Sequence, residues 1–139
     1  MLKKCLFFSA ILLLLVSCER IFINGDLDGM WRLERVESAD RVEYPDSIFY
    51  SFQRHLVMLG IYSETKYPVN WYMGCFDFTG DSLVMDNFYR YPGTDGVRVP
   101  EELASLYIFD DVTRCGVMHL SDEMLVISTD SIQCTFRKW

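Results

Sequence analysis

The sequence has no long hydrophobic run, no basic excess and almost no histidine, and each shortage excludes something. The longest apolar stretch is Cys5 to Val16, "CLFFSAILLLLV", twelve residues interrupted only by Ser9 and Ala10. A membrane-spanning helix needs about 20. Thirteen basic residues stand against twenty acidic ones, a formal net charge of −7 in 139 residues. Such a chain has no electrostatic footprint for nucleic acid and is not drawn by charge to anionic lipid headgroups. The two histidines, His55 and His119, fall in separate candidate strands, whereas a metal site needs three or four converging ligands. No Cys-x-x-Cys spacing supports zinc or redox chemistry. A Gly-rich phosphate loop, a nucleophile elbow and a His/Asp/Ser constellation are all missing. Ser63-x-x-Lys66 matches a catalytic Ser-x-x-Lys pair but lacks the partner motifs. The adjacent acids Glu101-Glu102 and Asp110-Asp111 read as solvated loop or helix-start residues. Nothing here implies a metal, a cofactor or an enzyme.

What is present begins with a leader. Met1-Leu-Lys-Lys is a short basic segment, and the twelve-residue apolar run fits a signal-peptide core of about 7–15 residues. The run ends in Leu15-Val16-Ser17-Cys18. That ending resembles the bacterial lipobox, in which a small residue precedes a cysteine that is alkylated with diacylglycerol and becomes the new N-terminus. The resemblance implies a leader at 1–17, lipid attachment at Cys18 and a lipidated tether at 18–26. Loss of Lys3 and Lys4 with the leader would take the net charge from −7 to −9. Two or more acyl chains hold a protein at a bilayer far better than one, so the lipid, not a basic patch, would supply attachment. The expected location is the cell envelope, on the periplasmic face or the outer surface of an outer membrane.

Cys75, Cys115 and Cys134 remain in the mature chain. In an oxidising compartment three cysteines allow one disulfide. Cys115 and Cys134 both fall in C-terminal strands, which favours that pair; the alternative is that all three are small buried hydrophobes.

From residue 27 to 139 the pattern is that of one all-β domain, in short apolar runs bounded by turn residues. Trp31 and Leu33 alternate with Arg32 and Glu34. Residues Ser47 to Ile61 hold Ile48, Tyr50, Phe52, Leu56 and Met58 at period two, long for one strand, with a bend or bulge expected near Gln53–Arg54. "NWYMGCFDF", "TGDS" and "LVMDNFY" read as a hairpin turning at Gly80-Asp81. Pro100 to Tyr107 is the one helix signal, with proline near the start, acids in the first turn, and Leu103, Leu106 and Tyr107 on one side. Three strands follow, and in the last of them Ile132, Cys134 and Phe136 alternate with Gln133, Thr135 and Arg137. About eight strands with tight turns predict an antiparallel meander closing into a barrel or half-barrel.

The start of this domain, "NGDLDGMWRLERVE", admits two readings. Asn24, Asp26, Asp28 and Gly29 match the first half of a calcium loop, but the twelfth position, where a bidentate Glu belongs, is Arg35. Gly29-Met-Trp31 at the head of a strand instead resembles the Gly-x-Trp of lipocalins. With "GMWRLERVE", "SFQRHLVML", "FDFTGDSL" and the closing "FRKW", the mature chain resembles a family of short lipocalin-like bacterial lipoproteins. The resemblance implies that Gly29 permits a tight turn, that Trp31 plugs one end of the barrel, and that Arg137 packs over Trp31 as a cation–π partner.

Candidate ligand contacts are fewer. Strict alternation places Arg35 on the Trp31 face. Either it lines a wet barrel mouth, or the strand bulges before Val36. Tyr62, Tyr67, Trp71, Tyr89 and Tyr91 cluster near strand ends, as an aromatic rim for a glycan or a protein partner, or as ordinary packing. Two functions follow. One is a non-enzymatic envelope protein binding a small hydrophobic molecule or glycan in the barrel mouth, through Arg35, Trp71, Tyr89 and Tyr91. The other is a structural or interaction module, an envelope complex subunit or inhibitor with a filled barrel. An open cavity of about 300 Å³ or more favours the first; a solid barrel with an apolar patch outside favours the second.

Overall fold

A computed structural model describes residues 22–62, 68–91 and 100–139. Residues 1–21, with the expected leader and Cys18, together with Ser63, Lys66, Tyr67 and residues 92–99 after Tyr91, lie outside the described residues. Nine strands form one sheet: β1 (Gly29–Glu37), β2 (Val42–Glu43), β3 (Ile48–Gln53), β4 (Leu56–Tyr62), β5 (Pro68–Phe78), β6 (Ser82–Tyr91), β7 (Val112–Leu120), β8 (Met124–Ser128) and β9 (Gln133–Lys138). A short helix, α1 (Pro100–Ala104), lies between β6 and β7. From β3 onward each strand pairs antiparallel with the next, and β1 pairs with both β3 and β9, so the meander closes into a ring. Closure leaves no long edge open to pairing with another chain.

The turns follow local chemistry. Gly80 sits at φ +101 in the β5–β6 turn, where Thr79 N–H bonds the Ser82 carbonyl at 3.0 Å. The break in the long run from Ser47 to Ile61 is sharper than a bend or bulge. Gln53 pairs with Leu56, so Arg54 and His55 alone form a hairpin turn, with Arg54 at φ 57. Strand β2, only two residues long, carried no periodic signal at all.

One apolar cluster fills the ring. Trp31, Tyr50, Phe52, Leu59, Tyr72, Phe76, Leu83, Met85, Leu125 and Phe136 all belong to it, and all are buried. Strand parity decides membership: Tyr72, Gly74 and Phe76 face inward on β5, and Trp71, Met73 and Cys75 face out. Gly74 is needed for space. A Cβ there would stand 2.7 Å from the Phe88 ring and from the Asp86 carbonyl oxygen. A register shift at this point of the β5–β6 pairing, with Asn87 at φ 56, keeps Phe88 turned inward.

Candidate functional site

Three places carry the chemistry the sequence singles out: the end of the barrel under Trp31, the opposite mouth, and the outer face of β1.

At the closed end, Gly29 takes φ +123, a backbone conformation costly for any residue with a Cβ. Its φ lets a 3-10 turn, Gly25–Leu27, run straight into β1 and fold beneath Trp31. The indole is 0% exposed and its N–H bonds the Leu27 carbonyl at 2.8 Å, so burial leaves no donor unpaired. The cation over Trp31 is Lys138, not Arg137. The Lys138 ammonium lies 4.3 Å from the indole centroid and donates to the carbonyls of Asp26 at 2.7 Å and Asp28 at 2.5 Å. Burial pulls its pKa down, while Asp26, Asp28 and Asp122 work the other way. Arg137 faces outward and bonds Glu34 at 3.1 Å. Strand parity explains the correction: Phe136 points in, so Lys138 does too, and Arg137 between them cannot. The aspartates of the calcium-like stretch serve the same knot. Asn24 donates to the Asp28 carboxylate through its side chain at 2.7 Å and its backbone at 3.1 Å, and Lys138 takes the adjoining carbonyls that a metal would want.

At the mouth, the segment after α1 turns into the barrel. The helix stops at Ala104, earlier than the expected Tyr107, because Tyr107 takes φ 65 and the Ile108 N–H folds back to the Leu103 carbonyl at 3.1 Å. That reversal puts Leu103, Leu106 and Ile108 into the same core cluster as Trp31. Polar contacts around the rim hold the segment. The Tyr50 hydroxyl donates to the Leu106 carbonyl, and the Tyr72 hydroxyl donates to Glu102, which also pairs with Arg90. The Tyr107 hydroxyl donates to Glu43 at 2.9 Å. Burial, then the Glu43 carboxylate, push the Tyr107 pKa up to about 12. Arg90 and Tyr72 lower that of Glu102. Beside the plug, between β6 and residues 108–112, lies a cavity of about 90 Å³ lined by Asn87, Phe88, Leu103 and Ile108. Ligand pockets run from about 300 Å³ upward.

Arg35 lies on the outside. A bulge in β1 between Leu33 and Arg35 inserts one residue against β9, so Leu33 faces Phe136 and Arg35 faces Thr135. The extra residue restores Val36 to the core and turns Arg35 out, where it pairs with Glu37 at 2.7 Å. Arg35 shares an open depression of about 530 Å³ with Arg32, Glu34, Tyr44, Asp46 and Thr135. Trp71, Tyr89 and Tyr91 also lie on the outer face. Trp71 has ring centroids 6.3 Å from Tyr62 and 6.5 Å from Tyr91. Tyr62 lies 4.7 Å from Phe49, and Phe49 5.2 Å from Trp139, so five rings form one row across the barrel wall. Tyr89 stands beside it, its hydroxyl 3.1 Å from the Met73 sulfur. The row includes Phe49 and Trp139, which the sequence reading missed. Phe49 sits between two core residues in an unbroken apolar run, and alternation alone would have marked it as outward.

Cys115 and Cys134 are free thiols, both buried. Strand β8 lies between theirs, which separates them by about 9–10 Å, beyond the ~7 Å Cα separation a disulfide tolerates. Burial pushes their pKa values up to about 11 for Cys115 and about 12 for Cys134. Cys75 is exposed on the outer face. His55 and His119 are exposed, and among the described residues no three His, Cys, Asp or Glu side chains converge on a metal position.

A family profile for the lipocalin-like domain matches residues 13–139. No curated protein matches the sequence. Among solved structures, a lipocalin-like protein from Bacteroides uniformis superposes with a TM-score of 0.66 at 22% identity, covering 83% of this chain and 100% of that one. An uncharacterized protein from Bacteroides eggerthii gives 0.64 at 18%, over 81% of this chain and 99% of that one. A protein from Burkholderia xenovorans gives 0.51 at 20%, over 81% and 82%. At these identities the structural likeness concerns the fold alone. The profile spans nearly the whole chain and the strands close into a ring entered at Gly29-Met-Trp31: the chain belongs to the lipocalin-like domain family.

Proposed function

We propose that the protein is a lipid-anchored, non-enzymatic component of the cell envelope that works through its outer surface, with the barrel as a filled scaffold. The observation that carries this reading is the occupied interior. Leu103, Leu106 and Ile108 stop one end, Trp31 stops the other, and one continuous apolar cluster joins them. The partner would be a glycan or an envelope protein. Anchoring rests on the lipobox-like Leu15-Val16-Ser17-Cys18 and its leader. It places the domain a few residues from a membrane surface, on the periplasmic face or the exterior of an outer membrane. The exposed Phe22 and Ile23 would lie next to the bilayer.

A second reading has one specific observation behind it. The plug is clasped at its rim by Glu102 with Arg90 and Tyr72, and Arg90 is exposed. If that clasp opens, the mouth would admit a small hydrophobic ligand. Native mass spectrometry of the protein purified from its own envelope separates the two. The first predicts acyl mass on Cys18, three free thiols and no bound small molecule. A stoichiometric apolar ligand would shift the assignment to the second. Separately, Cys18→Ser should abolish labelling by a clickable fatty acid, and persistent labelling would remove the anchor.

A further inference from the structure

We infer that the depression on the outer face of β1 and β9, walled by residues 44–46, is a binding site for an uncharged oligosaccharide. The inference rests on the proposal that the protein works through its outer surface, and it names the site and the ligand class.

The site is made by the bulge. In a regular strand Arg35 would follow Trp31 and Leu33 inward. The extra residue at Glu34 puts Arg32, Glu34 and Arg35 on one outer face, opposite Thr135. Such a re-aiming of side chains is what bulges do. The connection from β2 to β3 then supplies Tyr44, Pro45 and Asp46 as a wall. Among the described residues the Tyr44 and Thr135 hydroxyls and the Asp46 carboxylate take no hydrogen-bond partner. Arg32 and Arg35 each spend one nitrogen on a glutamate, leaving further donors of the planar fork free.

Three features select the ligand. The charges balance: Arg32 and Arg35 against Glu34 and Asp46, in a chain whose net charge is −7. The depression therefore favours neither anion nor cation. Its floor is charged and hydrogen-bonding, unlike the centre of a protein–protein interface, from which charged residues are depleted. Alternating donors and acceptors suit the vicinal hydroxyls of a sugar. Finally, aromatic faces adjoin it. Tyr44 and Trp139 are each 72% exposed, and the Arg32 guanidinium lies 5.8 Å from the Trp139 ring centroid. Trp139 begins the row through Phe49, Tyr62 and Trp71 to Tyr91. A chain of several sugars would lie with its first unit over the depression and its apolar C–H faces along the exposed rings of Tyr44 and Trp139.

The test is titration calorimetry, with saturation-transfer NMR, on the detergent-solubilised mature protein. The probes are hexasaccharides of glucose, mannose and xylose in α and β linkage, with oligogalacturonate and a heparin hexasaccharide as anionic comparisons. The expected result is binding of at least one neutral probe. Tyr44→Ala and Trp139→Ala, both at highly exposed positions, should each weaken it by roughly tenfold, and Arg35→Gln should weaken it too. Leu106→Ala, in the barrel plug, should leave it unchanged. The inference is overturned if no neutral probe binds, if only the anionic probes bind, or if Tyr44→Ala and Trp139→Ala bind as the parent does. Binding lost only on Leu106→Ala would likewise overturn it and place the sugar in the mouth. An apolar ligand found in the barrel by native mass spectrometry would count against the broader proposal, independently of the sugar titration.

Discussion

The two ends of the barrel are both stopped by the protein's own side chains, but by different means. At the closed end the stopper is local. Trp31 bonds the Leu27 carbonyl four residues back, the glycine that allows this is Gly29, and Lys138 and the Arg54 carbonyl, which Asn24 meets at 2.9 Å, arrive from far away. At the mouth the side-chain contacts that tie the plug to the ring are mostly distant. Tyr50 meets Leu106 across 56 positions, Tyr72 meets Glu102 across 30, and Tyr107 meets Glu43 across 64. The indole and its bond at the closed end are buried, whereas the mouth depends on a clasp at the solvent. A local, buried plug forms with the strand that carries it. A distant, solvent-clasped plug has to be delivered by the finished ring, and it is the end where opening should begin.

The largest test of this asymmetry is Trp31→Ala. Loss of a fully buried indole should cost roughly 3–5 kcal/mol and destabilise the whole domain in denaturant titration. A near-parental midpoint would remove Trp31 as the closing plug. Leu106→Ala should cost about 2–3 kcal/mol and act differently. Hydrogen exchange should rise first in residues 100–108, with β1 and β9 still protected. Uniform loss of protection would mean that the mouth and the closed end unfold as one unit.

Smaller effects sharpen the closed end. Lys138→Met should cost about 1–2 kcal/mol, from the cation–π contact and the two carbonyl bonds. Arg137→Ala, losing only a surface ion pair, should cost under ~1 kcal/mol. The reverse order would restore Arg137 as the partner of Trp31. At the mouth the clasp should respond to acid. The Glu102 pKa is lowered in the fold by Arg90 and Tyr72. The stabilisation it gives is therefore complete above its ordinary value of 4.5 and fades as pH falls through the lowered one. Exchange in residues 100–108 should speed up across that acid range in the parent and less so in Glu102→Gln. An equal response in both would exclude the clasp. Thiol labelling, finally, leaves stability untouched. In the native protein at mildly alkaline pH, Cys75 should react at once. Cys115 and Cys134, with thiols pushed up to about 11 and about 12, should react only on unfolding.

The legible parts of the molecule were those set by nearest neighbours. Alternation marked the strands, turn residues marked the β5–β6 hairpin, and the bulge before Val36 was one of two ways to resolve a charge at an inward position. Alternation also held the answer at β9, where it points Lys138 inward with Phe136. The family likeness favoured Arg137, and parity was the better guide. Errors arose where a signal needed a second strand to interpret it. Two cysteines in C-terminal strands look like a pair until β8 is placed between them. The run of fifteen residues from Ser47 to Ile61 was too long for one strand and breaks where expected, near Gln53–Arg54, but that the break is a two-residue hairpin turn shows only once Gln53 is seen to pair with Leu56. The depression beside Arg35 had no linear signature, because Tyr44 and Asp46 face Thr135 only after the ring has closed.

By itself the sequence determined the all-β class and the meander order, since periodicity and turn propensity act over a few residues, while the Gly29–Trp31 closure was what the lipocalin resemblance implied. The sequence also carries the leader-like segment and the cysteine on which anchoring is proposed. Tertiary structure alone decided that the barrel is full and that Arg32, Glu34 and Arg35 share one outer face. Whether an interior is empty depends on which distant side chains enter it. Leu103 and Leu106 read, with Tyr107, as one side of a short helix until the mouth of the barrel is there to receive them together with Ile108.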